Sequence, residues 1–67
     1  MNTETLIRMA NQIAKNFSAY PDEVASEKLT SHLKKFWEKR MLTDLSAYAK
    51  NDGSGLDPVV RKVADGL

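Results

Sequence analysis

The chain of 67 residues has room for one domain only, and its 10 basic and 9 acidic side chains leave a formal net charge of +1. This near-neutral balance favours neither a nucleic-acid binder nor an enzyme for strongly acidic substrates. Cysteine is absent, which excludes a disulfide framework and predicts a reducing intracellular setting or stabilisation by a partner. No apolar run approaches the ~18 residues of a membrane span and no charged-then-apolar leader opens the sequence, so the expected location is cytoplasmic.

The first predicted helix covers roughly residues 3–18. Asn2 or Thr3 can cap it, and Glu4 lies in its first turn, where a carboxylate meets the positive end of the helix dipole. Apolar side chains then recur at helical spacing within an arc of about 160°. They are Leu6, Ile7, Met9, Ala10, Ile13, Ala14 and Phe17. The pattern predicts an amphipathic helix with a wide core-facing side.

A second helix is predicted after the connector 18–22, because Pro21 suits a first helical turn and Asp22 and Glu23 favour a helix N-terminus. His32 lies beside its apolar stripe, which consists of Ala25, Leu29, Leu33 and Phe36. No Gly or Pro lies between Asp22 and Asp52, so local propensity permits one long helix.

The apolar pattern nevertheless predicts a break in that long helix. On an ideal wheel, Met41, Leu45 and Tyr48 point about 150° away from the earlier stripe, so a straight helix cannot press both sets into one core. We therefore expect a bend or break near Trp37–Lys39 and a third helix of roughly 39–50.

Residues 51–55 predict a loop, since Asn, Asp, Ser and Gly tolerate turns and positive φ. A short last helix follows, with Asp57 as cap, Pro58 at its first position and Gly66 as a stop. Its shared apolar face consists of Leu56, Val59, Val60, Val63 and Leu67, and it should fray unless it is docked. The sequence thus predicts one all-α domain over residues 1–67, a small bundle of three to four short helices without a sheet.

Chemistry-bearing residues are scarce in this sequence. Ser31, His32 and Asp44 can be written as a Ser-His-Asp set, but nothing in their spacing selects that arrangement. No metal-ligand spacing such as His-x-x-x-His occurs, and the 53–55 glycine loop lacks the lysine and preceding strand of a phosphate loop. We therefore predict no catalytic, cofactor-binding or metal-ligating residue in the chain.

Two features point to binding. Trp37 stands at the expected helix junction, where closing the core is the favoured role and anchoring in a partner's pocket is the second. Lys34, Lys35, Lys39 and Arg40 flank it, within a segment 34–50 that carries five positive and two negative charges. A solvated helix face is the ordinary explanation of such a cluster. The alternative function is a small helical nucleic-acid-binding module that uses the basic cluster 34–40.

Three motifs closely resemble those of the delta subunit of NAD-dependent, molybdenum- or tungsten-containing formate dehydrogenases. The N-terminal one runs from Leu6 through Ala14 to Phe17, the central one is Lys35-Phe36-Trp37 with Arg40-Met41, and the C-terminal one spans residues 55–61. Their order matches that of the family, and they cover nearly the whole chain. Glu38-Lys39 stand where the family usually has Asp-Pro after the Trp.

The resemblance implies a non-catalytic accessory subunit that binds the large molybdenum-bearing subunit and supports its assembly or activity. The partner subunits would carry molybdopterin guanine dinucleotide, iron–sulfur clusters, FMN and NAD, and would oxidise formate to carbon dioxide. By motif position, the expected partner-binding residues are Arg8, Asn11, Gln12, Trp37 and Arg40. A wide apolar face would also allow the isolated chain to self-associate as a homo-oligomer.

Overall fold

Residues 2–67, described by a computed structural model, form four α-helices, and no strand occurs among them. The helices are α1 (Thr3–Asn16), α2 (Asp22–Phe36), α3 (Lys39–Asn51) and α4 (Pro58–Asp65). The predicted all-α class is therefore confirmed for this part of the chain, with four helices rather than three.

The first helix begins as expected and ends earlier. Asn2 is its cap, since the Thr5 N–H donates to Asn2 Oδ1 over 2.8 Å. It ends at Asn16 rather than near residue 18, because Phe17 leaves helical geometry while its N–H donates to the Ala14 carbonyl. On the predicted apolar face, the residues at the centre are buried and those at the edge are partly buried. The buried residues are Leu6, Ala10 and Ala14, and the partly buried ones include Met9, Ile13 and Phe17.

The predicted break between the second and third helices is confirmed. Trp37 and Glu38 have extended backbones, with φ/ψ of −94°/142° and −70°/156°. The Trp37 N–H still donates to the Leu33 carbonyl, so the helical ladder stops at this residue and the chain turns away. Trp37 is only 7% exposed and belongs to the core. The break therefore redirects the chain and places the indole inside the bundle.

The prediction that Phe36 faces the core is wrong. Ala25, Leu29 and Leu33 of the same stripe are buried, whereas Phe36 is 64% exposed. Phe36 is the last residue of α2, and Trp37 fills the core directly after it. With the larger aromatic inside, the Phe36 ring lies outside against His32, their ring centroids 4.7 Å apart.

The fourth helix starts at Pro58, with Asp57 in the capping position, but the Asp57 side chain makes no capping hydrogen bond. Gly66 ends the helix with φ of −94°, so the stop does not use left-handed geometry. Although α4 has only 8 residues, it packs against α1, α2 and α3. The docking that this short helix was expected to need is therefore present. Buried side chains from all four helices and from Trp37 form the core: Leu6, Ala10, Ala14, Leu29, Leu33, Trp37, Leu45, Ala49, Val60, Val63 and Ala64.

Candidate partner-binding surfaces

One predicted contact residue, Asn11, is occupied within the chain. Its Nδ2 donates to the Gly55 carbonyl over 2.8 Å, and its Oδ1 accepts the Asp57 N–H over 3.0 Å. Because one partner is a carbonyl and the other an N–H, the two bonds define the orientation of the amide. Asn11 thus satisfies a backbone donor at the start of α4 and holds the preceding loop against α1.

The same loop is tied to α3. The Tyr48 hydroxyl donates to the Ser54 carbonyl over 2.6 Å, and the Gly53 N–H donates to the Tyr48 carbonyl over 2.9 Å. Gly53 has φ of +69°, and a Cβ there would lie 3.2 Å from the Ala49 carbonyl oxygen. The helical pattern identifies Tyr48 only as an apolar residue, although a half-buried phenol normally needs a polar partner.

Two shallow hollows lie along α1. Arg8, Met9, Gln12 and Ile13 line the first, which we call the α1 hollow. The second is polar and is lined by Arg8, Asn11, Gln12, Lys15 and Asp57. Arg8 and Gln12 are exposed and border both, so the structure brings three predicted contact residues, Arg8, Asn11 and Gln12, to one side of the molecule.

Trp37 and Arg40 are placed differently. The burial of Trp37 corresponds to the core-closing role and leaves its ring unavailable for stacking on a nucleic-acid base. Arg40 is exposed in the first turn of α3, next to Lys39 and with no acidic residue in that turn. Cations at a helix N-terminus oppose the helix dipole, so helix stability does not account for this pair.

A further surface was not predicted from the sequence. At the outer side of α2, the exposed rings of Tyr20 and Phe36 flank a chain of aromatic contacts through Phe17 and His32. The sequence feature that could have indicated this surface is the four-residue spacing of Val24, Lys28 and His32, which places one residue per turn on the same face of a helix. That signal was overlooked because Phe36 was assigned to the core.

The described residues hold no group of three or more His, Cys, Asp or Glu side chains that could bind a metal ion. His32 packs its ring against Phe17 and Phe36. Within residues 2–67, no helix has both the length and the apolar character that a membrane crossing requires.

The fold defines a class, a small protein whose described residues are all-helical. The sequence matches the family described as the NADH-dependent formate dehydrogenase delta subunit FdsD over residues 5–64, and the chain belongs to that family. No curated protein matches the sequence, and no solved structure does so either.

The three motifs that resemble this family meet in the fold. Asn11 of the N-terminal motif bonds to Gly55 and Asp57 of the C-terminal motif. Ala10, Trp37 and Val60, one from each motif, belong to the same core cluster. Much of the motif sequence therefore specifies how the helices pack, while other motif members, among them Arg8, Gln12, Lys35, Phe36 and Arg40, are exposed.

Proposed function

We propose that this chain is a non-catalytic accessory subunit of a cytoplasmic NAD-dependent formate dehydrogenase complex. It binds the large molybdenum-bearing subunit and supports the assembly or activity of that subunit. Molybdopterin guanine dinucleotide, iron–sulfur clusters, FMN and NAD would all reside in the partner subunits, where formate is oxidised to carbon dioxide. The observation that carries the proposal is the family match over residues 5–64, which makes the chain a delta subunit.

The α1 hollow has the composition of a small protein contact. Met9 and Ile13 are half-buried at the edge of the core, and the exposed polar side chains of Arg8 and Gln12 border them. Protein interfaces combine an apolar centre with a polar rim and are enriched in Met and Arg. The flexible Met side chain also adapts its shape to a partner. We assign this hollow to the large subunit.

The test is co-purification from cells that express the formate dehydrogenase subunits with a tagged copy of this chain. We expect the large subunit to elute with the wild-type chain. Arg8→Glu should weaken the interaction about 10-fold or more, because it replaces an interface cation with a carboxylate at the rim of the hollow.

Lys50→Glu is the matched control, since Lys50 is also exposed and the substitution changes the net charge by the same amount. This variant should retain the large subunit. Circular dichroism of both variants verifies that the helices persist. A wild-type chain that never brings down the large subunit would refute the proposal, and equal binding by Arg8→Glu would remove the α1 hollow from it.

A further inference from the structure

The large apolar side chains that are exposed among residues 2–67 all belong to α2 or to the connector before it. Tyr20 is 45% exposed, Val24 37% and Phe36 64%. Tyr20 precedes α2, Val24 lies in its first turn and Phe36 is its last residue. Scattered exposed apolar residues are ordinary, whereas several of them along one helix are a candidate contact surface.

The rings on this side form one continuous aromatic chain. The centroids of Tyr20 and Phe17 are 6.4 Å apart, those of Phe17 and His32 6.5 Å, and those of His32 and Phe36 4.7 Å. Such distances are those of tilted and edge-to-face aromatic pairs. Each ring restricts the rotamers of its neighbour, so we expect this surface to lose little side-chain entropy on binding.

A lysine lies near the aromatic ring at each end of this row of rings. Lys28 Nζ lies 4.8 Å from the centroid of the Tyr20 ring, and Lys35 Nζ lies 5.5 Å from that of Phe36. On an ideal wheel, Val24, Lys28, His32 and Lys35 share an arc of about 80°. The α2 carboxylates of Asp22, Glu23 and Glu27 lie about 100° or more from the centre of that arc. We call Tyr20, Val24, Lys28, His32, Lys35 and Phe36 the α2 outer face; it is apolar and cationic.

We propose that the α2 outer face docks an acidic, apolar-faced segment of the large formate dehydrogenase subunit, an inference that rests on the proposed function. Apolar side chains of that segment would cover Tyr20, Val24 and Phe36. Its carboxylates would pair with Lys28 and Lys35, whose charges no carboxylate of this face neutralises. Complementary charge of this kind mainly directs partner choice and the rate of association.

Two other occupants fit the face less well. A second copy of the chain, docked through a twofold axis, would bring the same lysines against each other, and like charges across an interface are unfavourable. A nucleic acid would need more cations than the two on this face, and it would leave Val24 without a role.

The α2 outer face and the α1 hollow can be tested separately. Arg8 is not one of the residues of the α2 outer face, and Lys28, Lys35 and Phe36 do not line the α1 hollow. Arg8→Glu and the substitutions on the α2 outer face therefore change different side chains.

The experiment measures binding of the full-length chain to the purified formate dehydrogenase large subunit at several salt concentrations. We expect Phe36→Ala to weaken binding about 10- to 30-fold through the loss of an aromatic anchor. The double variant Lys28→Glu/Lys35→Glu should weaken it about 10-fold or more and flatten its salt dependence, because exposed charge pairs are screened by salt.

Lys34→Glu is the matched control. Lys34 is exposed, adjacent to Lys35 in the last turn of α2 and about 100° away from it around the helix. It should change affinity less than about 3-fold, since only screened long-range attraction is affected.

The outcomes separate the two proposals. If the Phe36→Ala variant and the Lys28→Glu/Lys35→Glu variant both bind the large subunit with wild-type affinity, the α2 inference is wrong and the proposed function stands. Absence of wild-type binding overturns both. Self-association of the chain that disappears with Phe36→Ala, or duplex DNA binding at low salt that disappears with the lysine variant, would assign the face to another occupant and overturn the inference.

Discussion

Asn11 shows how much one amide can do in so small a protein. Its two hydrogen bonds reach residues 44 and 46 positions further along the chain. They satisfy a backbone N–H at the start of α4 that the Asp57 side chain does not cap. The residue therefore links the first helix to the last without contributing apolar area.

Asn11→Ala should lower the free energy of unfolding by about 1–2 kcal/mol, because the Asp57 N–H loses its partner in a partly buried setting and the exposed Gly55 carbonyl loses its bond to α1. In a domain of this size, each kcal/mol corresponds to about 4–8 °C in Tm. Thermal and urea unfolding followed by circular dichroism measure the change.

Gln12→Ala is the neighbouring control for that prediction. Gln12 is exposed, and a surface substitution of this kind should stay within about 0.5 kcal/mol of wild type. Equal losses in the two variants would mean that Asn11 does not tie the loop in solution.

For single residues, the sequence indicates which side chains are important better than it indicates what they contact. Asn11 and Trp37 were both singled out, but a side chain at position 11 has no visible relation to a carbonyl at position 55 until the helices are packed. The Tyr48 bond to the Ser54 carbonyl depends in the same way on the path of the loop. The exposure of residues such as Arg8 and Gln12 depends least on how the helices pack. Their predicted contacts with a partner are tested by the binding experiment.

The junction of α2 and α3 is the element that sequence patterning predicted best. Two apolar stripes pointing in different directions demanded a break, although every residue between Asp22 and Asn51 tolerates a helix. The same wheel failed at Phe36, because it assumes that the last turn faces the core as earlier turns do. The break itself changes what the core can accept there, and Trp37 takes that place.

The geometry of the junction indicates that proline is tolerated at position 39. Glu38 has φ/ψ of −70°/156° and makes no side-chain cap bond, and Lys39 is the first residue of α3. Glu38→Asp with Lys39→Pro should therefore raise the free energy of unfolding by about 1 kcal/mol, through a better cap and a stiffer unfolded chain. Urea unfolding is the measurement.

Lys39→Ala, measured alone, separates the loss of the lysine from the effect of the proline ring. In a continuous helix the proline would instead cost about 3 kcal/mol, since it removes a backbone bond and clashes with the preceding turn. A destabilisation of that size would contradict the break between α2 and α3.

The whole molecule has a narrow margin of stability. A chain of this length buries only about 60% of its unfolded surface, and such a core typically supplies about 3–5 kcal/mol. Several core positions are alanines, which add little apolar area. Binding within a complex is therefore expected to add substantially to this stability.

Binding to the large subunit should therefore raise the apparent stability of the chain. With free partner at 100 times Kd, the gain is about 2.7 kcal/mol. Hydrogen exchange of the α4 amides in the presence and absence of the large subunit measures it. The Arg8→Glu variant should show a smaller gain at the same partner concentration, and an unchanged exchange rate for the wild-type chain would contradict the linkage.

The packing of α4 against the other three helices also affects how the protein folds during its synthesis. During synthesis the first three helices leave the ribosome before α4 does, and α4 packs against each of them. Until it arrives, the apolar sides of its neighbours stay open to water. Cellular factors that guard nascent chains, or a waiting assembly partner, therefore have an interval in which to meet surfaces that the finished bundle hides.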